Sequence, residues 1–273
     1  MTKIISLYSF RDGTGKSTIA ANLAAAIAKK KGNVGIIDTN LYAPGLHHFF
    51  AIQNMNYYLN DYLINPAISI NQAVHTFNFK IDQKEFKIDI VPSSPKIGDI
   101  ANILRTELDY KYLCHGFKDL TDQKKIDYLI IDCPAGIRET TLLSMSISDA
   151  IIIVLRPDKQ DIQETTMALE IAQKLEIPKK MLIMNKVISN NIDKDDLTAK
   201  VQNFFQKQAT VIGLLPQSER IMEFSIPKKF QKISSLPPSD ESDISGLFYA
   251  NYPEDPWSKE IEKIANKVIS RIY

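Results

Sequence analysis

Residues Arg11-Asp12-Gly13-Thr14-Gly15-Lys16-Ser17-Thr18 follow the apolar run Ile4-Ile5-Ser6-Leu7-Tyr8 and precede a helical pattern of Ile19, Leu23 and Ile27. A strand that turns through glycines into a helix opening Lys-Ser crowds backbone N–H groups around an anion. Gly13 and Gly15 keep side chains out of the way and accept unusual dihedrals. Lys16 reaches terminal phosphates, Ser17 offers a hydroxyl to Mg²⁺, and the helix adds its positive dipole end. The stretch reads as a phosphate-binding loop for a nucleoside triphosphate. Its cradle is Asp12, Gly13, Thr14, Gly15, Lys16, Ser17 and Thr18.

Composition bounds the rest. A chain of 273 residues that is 44% hydrophobic and 24% charged suits one α/β domain, residues 1–273, with a sizeable core. A net charge of +1 gives no global electrostatic argument for nucleic acid, though a local basic patch would fit within it. Cys114 and Cys133 form no C-x-x-C pair, so neither a disulfide framework nor a zinc or iron–sulfur site is indicated. A reducing cytoplasm is the expected home. The chain enters its first strand without a signal-type segment, and no apolar run approaches bilayer-spanning length, so a soluble protein is expected.

Outward from the loop, Val34-Gly35-Ile36-Ile37-Asp38 reads as a buried parallel strand ending on an acid. Similar runs recur at 126–132, 150–155, 181–184 and 209–214, separated by helical patterns at 138–146, 160–175 and 197–205. The alternation predicts right-handed crossovers and a doubly wound, mainly parallel sheet with helices on both faces. Ligands of such sheets lie at the carboxyl ends of the strands, where the loop, Asp38 and Asp132 fall. Phe77–Ile81 and Phe86–Ile90 alternate at period two around Asp82-Gln83-Lys84-Glu85, which predicts an antiparallel hairpin whose second strand joins the main sheet. Residues of about 227–256, rich in proline and serine, read as a long insertion.

Two further segments carry chemistry. Leu129-Ile130-Ile131-Asp132 is an apolar strand ending in Asp, the Walker B form, whose carboxylate binds Mg²⁺ through water; Gly136, four residues on, can offer its N–H to a γ-phosphate. Ile37-Asp38-Thr39-Asn40 places another acid at a strand end.

A strict Walker loop wants glycine where Phe10 stands. Residues 11–17 instead resemble the deviant Walker A loop of ParA/MinD-type P-loop ATPases, Lys-Gly-Gly-x-Gly-Lys-Ser/Thr, with Arg11 for the first lysine and Asp12 for the first glycine. Residues 38–40 resemble that family's Asp-x-Asp switch I, and Asp132-Cys133-Pro134-Ala135-Gly136 its switch II; the likeness runs over residues 1 to about 225 and the last helix. The resemblance implies ATP and Mg²⁺ as cofactors, Ser17, Asp38 and Asp132 around the metal, and Lys16 on the transferring phosphoryl group. It places Asn40 at the attacking water and Asn185, Lys186, Pro216 and Gln217 around an adenine. In relatives the first loop lysine reaches the partner's phosphates in an ATP-sandwiched homodimer, and Arg11 keeps that charge and reach. Asn40 replaces an acid with an amide that can only hydrogen-bond water, so slow hydrolysis or none is expected.

The expected activity is a nucleotide-dependent dimerisation switch that positions a cargo or regulates a partner. A non-hydrolysing ATP-binding module stays open beside it, as does an ATP-dependent amide-forming enzyme of the same fold. An unidentified protein partner is expected, and non-specific DNA stays open. A MinD-like membrane anchor is argued against: Trp257, Ile261, Ile264, Val268 and Ile272 share one face of a last helix with balanced Glu and Lys, which reads as core. Lys29-Lys30-Lys31 answers a helix dipole, and His47, His48 and His75 lack metal-ligand spacing. Cys133 stands where the nitrogenase iron protein has a cluster ligand, but without matching context around Cys114 it reads as a small buried residue.

Overall fold

The computed structural model describes residues 1–109, 111–188, 193–206, 208–226 and 246–272. Eight strands form one sheet: β1 (Lys3–Tyr8), β2 (Val34–Asp38), β3 (His75–Ile81), β4 (Lys84–Val91), β5 (Tyr128–Asp132), β6 (Ala150–Leu155), β7 (Lys179–Val187) and β8 (Thr210–Pro216). Their order is β3-β4-β2-β5-β1-β6-β7-β8, and every pairing is parallel except the β3–β4 hairpin. The hairpin's second strand pairs with β2, as its period-two pattern predicts.

Helices α1 (Lys16–Lys30), α2 (Leu46–Phe49), α3 (Leu59–Ile64), α4 (Ile97–Arg105), α5 (Lys111–Lys124) and α6 (Glu139–Ser146) precede β6 in the chain. The second half contributes α7 (Lys159–Lys174), α8 (Lys194–Phe205), α9 (Glu219–Phe224), α10 (Phe248–Asn251) and α11 (Pro256–Ile272). The central strands read as unbroken apolar runs because successive side chains feed two different cores. On β6, Ile152 and Val154 join α1 and α11 on one face, while Ile151, Ile153 and Leu155 meet Leu169 and Ala172 of α7 on the other. On β5, Tyr128 and Ile130 face α1, and Leu129 and Ile131 face Phe117 and Leu120 of α5.

The last helix is core, as its stripe predicts: Trp257, Ile261, Ile264, Val268 and Ile272 are all buried. Lys29 and Lys30 close α1 and pair with Glu262 of α11, Lys30 at 2.8 Å. The structure corrects one boundary. Phe248–Asn251 form α10, with Leu247, Phe248 and Tyr249 buried, and Pro256 opens α11. Residues 227–245 of the expected insertion lie outside the described residues. Among the described residues, no helix is long and apolar enough to cross a membrane.

Candidate functional site

The loop between β1 and α1 closes on Gly15, which caps the helix in the left-handed region at φ 89°, with Gly13 also positive at φ 75°. No side chain caps α1 and no acid occupies its first turn, so its N-terminal dipole end is left to an anion. A Cβ on Gly15 would collide with the Asn185 amide, which packs against the loop and donates to the Thr14 carbonyl at 2.8 Å. Lys186, itself at φ 59°, donates to the Gly13 carbonyl at 2.7 Å. The end of β7 thus clamps the loop from the side. Thr14 is buried, and its hydroxyl has no hydrogen-bond partner.

Lys16 is buried and its Nζ meets Asp132 Oδ1 at 2.6 Å, with Ser17 Oγ at 3.5 Å. Burial pulls the Lys16 pKa down, but Asp132 outweighs it and the net shift is upward. Asp38 and Asp132 are register neighbours on β2 and β5, so their side chains leave the sheet together. Asp38 is fully buried and its pKa is raised to about 7, first by burial and then by Asp132, against N–H donors from Leu46 and Asn40. Two buried acids share one buried cation, Lys16.

Lys16, Ser17, Asp38 and Asp132 therefore lie together at the carboxyl end of the sheet. Other residues are committed elsewhere. The Asn40 amide closes a turn within its own loop, donating to Ala43 O at 2.7 Å and accepting from Ala43 N at 3.3 Å. Gly136, at φ 76°, donates its N–H to Ser9 O at 3.2 Å. Arg11 forks onto Glu164 of α7 through Nε and one terminal nitrogen, at 2.6 and 2.7 Å. Asp12 is exposed.

Beside the loop lies a cavity of about 280 Å³ lined by Gly15, Thr18, Asn185, Lys186, Pro216 and Gln217, all read from sequence. Ser218, Ile221 and Met222 at α9, together with Trp257 of α11, complete its wall. Ser218 belongs to the segment read as closing over the base, whereas Ile221, Met222 and Trp257 were not read as site residues: Trp257 belongs to a helical apolar stripe, and Ile221 and Met222 lie in no motif. A mixed apolar slot with amide and backbone groups, opening onto a phosphate loop, has the chemistry of a base site. The unpartnered Thr14 hydroxyl, the uncapped helix and the paired acids fit a Mg²⁺–nucleotide. Cys133 is buried with its thiol pushed up to about 12, chiefly by burial, and Cys114 is half-buried on α5.

The family model described as ParA, NUBPL iron-transfer P-loop NTPase, matches residues 1–269. An uncharacterized ATP-binding protein of Methanocaldococcus jannaschii is 26% identical over 276 residues, covering all of this chain and 90% of that protein. The iron-sulfur cluster carrier protein of Rickettsia typhi is 26% identical over 227 residues, 82% of this chain, which spans 65% of the carrier's length. The septum site-determining protein MinD of Pyrococcus horikoshii, solved with Mg-ADP, superposes with TM-score 0.74 at 22% identity over 100% of this chain and 98% of that one. That likeness shows the fold: the eight-stranded, mainly parallel sheet of P-loop NTPases.

Proposed function

Because the chain belongs to the ParA family of P-loop NTPases, we propose that it binds ATP with Mg²⁺ and serves as a slow ATPase whose nucleotide state switches it between monomer and homodimer. The dimer would position a cargo or regulate a protein partner inside the cell. One observation carries the reading: the buried Lys16–Asp132 pair stands at the mouth of a loop that opens directly into the cavity of Asn185, Pro216 and Gln217. On this reading, phosphate, metal and base positions would be contiguous.

When bound, Mg²⁺ would neutralise phosphate charge and polarise the transferring group. Ser17, Asp38 and Asp132 would hold it. Lys16 would exchange Asp132 for phosphate oxygens, the α1 N-terminus would face the same charge, and Asn185 and Gln217 would meet the base edge. For Asn40 to orient water, its bonds to Ala43 must open, which supports slow turnover.

The Asn40–Ala43 turn also favours a second reading, a module that binds ATP without hydrolysing it. The M. jannaschii relative carries the name ATP-binding protein, and the R. typhi relative that of iron–sulfur carrier. Cluster carriage is not proposed: Cys114 lies on α5 and Cys133 follows β5, and burial raises the pKa of both thiols. Calorimetric titration with Mg-ATP, followed by phosphate-release assays, separates the two readings. Binding with turnover supports the first, and binding without turnover the second.

A further inference from the structure

The Asp38 carboxylate, beside Asp132 in register, also carries a loop. Its Oδ1 accepts the Asn40 N–H at 2.9 Å, and its Oδ2 accepts those of Gly45 and Leu46, each at 3.1 Å. Gly45 and Leu46 stand at the start of α2, a helix of four residues. A helix this short has too few internal hydrogen bonds to keep its own place and takes it from packing. Leu46 and Phe50 are buried in the same core as Leu247, Phe248 and Tyr249. Between these two segments, Gly246 lies against the backbone of α2: a Cβ there would stand 2.9 Å from the His48 carbonyl oxygen and 2.9 Å from the Phe49 Cα. Both are backbone atoms, which cannot swing aside as the end of a side chain can.

The glycine side of this contact is pinned. Leu247 and Tyr249 are buried, and Tyr249 donates its N–H to Asn22 Oδ1 at 2.7 Å; Asn22, buried on α1, donates through its amide to the Thr18 carbonyl at 2.8 Å. The Phe248 ring meets those of Phe224 and Trp257 at centroid distances of 5.6 and 5.9 Å. The α2 side is looser, since Ala51, Gln53, Asn54, Asn56 and Tyr57 in the loop that follows are exposed. We infer that Gly246 is a positioning residue for Asp38: with no side chain at 246, α2 lies where Gly45 and Leu46 donate to the carboxylate, and this fixes the carboxylate's orientation beside Asp132. Residues 246–249 thereby tie the acid on β2 to the phosphate-loop helix, through α2 at one end and Asn22 at the other. A carboxylate held by three N–H groups is already ordered when a cation arrives, whereas one that has lost two of them must be ordered at that moment.

The metal role of Asp38 rests on the nucleotide reading above, and the first arm of the test does not. In the nucleotide-free full chain, amide hydrogen exchange is followed residue by residue by NMR. Gly246→Ala should exchange the Gly45 and Leu46 amides about tenfold faster than wild type, with the β1 and β5 amides unaltered. Wild-type rates at Gly45 and Leu46 would overturn the inference. In the second arm, ADP retention is measured by equilibrium dialysis against rising Mg²⁺. Gly246→Ala should need about tenfold more Mg²⁺ for half-maximal retention. A variant with a lowered denaturation midpoint and the wild-type Mg²⁺ requirement would show that Gly246 serves packing alone, which overturns the inference. If Gly246→Ala does not fold, wild-type exchange in rising urea takes its place: the Gly45, Leu46 and Tyr249 amides should exchange through one opening with a common urea dependence, and separate openings overturn the inference. A wild type that retains no ADP at any Mg²⁺ concentration would refute the nucleotide reading, and the exchange arm would still decide whether Gly246 holds α2 against Asp38.

Discussion

Lys16 and Asp132 are joined by a 2.6 Å ion pair in which both side chains are buried, and Asp38 stands beside Asp132 on the neighbouring strand. The lysine that a phosphate loop reserves for its ligand is therefore also the buried cation beside the paired carboxylates of Asp132 and Asp38.

Lys16→Ala should accordingly do two things. It should abolish ATP binding, and it should lower stability by about 3 kcal/mol, because a buried carboxylate loses its partner. Adding Asp132→Asn should restore most of the stability and none of the binding. Denaturant titrations beside calorimetry check both. A Lys16→Ala protein with wild-type stability would show that the pair contributes nothing to the fold.

Trp257 is the chain's sole tryptophan and lines the cavity beside Asn185 and Gln217. Its fluorescence should change on addition of Mg-ATP or Mg-ADP. Mg-tripolyphosphate, which supplies phosphates without a base, should leave it unaltered. Equal changes with all three would place the base elsewhere.

Asn40→Asp should speed phosphate release at saturating ATP. An aspartate cannot donate to the Ala43 carbonyl, so the turn opens and a charged acceptor is released toward the site. A tenfold gain would correspond to about 1.4 kcal/mol of barrier. ATP affinity should fall in the same variant, since the added charge lies near phosphate. An unchanged rate would show that Asn40 does not limit hydrolysis.

His47 gives a pH dependence. It is buried in α2 with its Nδ1 unpartnered, and burial first, then neighbouring His48, lowers its pKa to about 4. The unfolded residue titrates near 6.5, so between about pH 6.5 and 4 the unfolded chain binds a proton that the folded chain refuses. The stability from neutral His47 is full above that window and is lost as pH falls through it, at up to about 1.4 kcal/mol per pH unit. His47→Phe should flatten the decline relative to wild type when denaturation midpoints are compared at pH 7.5 and 5. Parallel declines would remove His47 as the source.

The sheet was legible because strands buried on both faces become unbroken apolar runs: β2 and β6 have the limits their sequences predict. β7 runs from Lys179 to Val187, longer than its apolar run at 181–184, since the polar Lys179 and Lys180 pair with β6 at one end and an irregularity carries Asn185 and Lys186 to the pairing of Val187 with Pro216 at the other. The loop, Asp38, Asp132 and the Asn185 and Gln217 walls were readable from local motifs. The grip of Glu164 on Arg11 was not, because acids three apart on a helix look like a solvated face until the fold brings a loop 153 residues away against them. Trp257 was readable as core and not as cavity wall, for a similar reason. Phe248 and Tyr249 were hidden among flanking prolines, although the fold buries both.

The central claim is that nucleotide state sets the assembly state. Multi-angle light scattering of the full chain with Mg-ATP, with Mg-ADP and without nucleotide tests it most directly. Twice the protomer mass is expected with Mg-ATP and the protomer mass in the other two conditions. The same mass in all three, in a protein that calorimetry shows to be loaded with ATP, would contradict it.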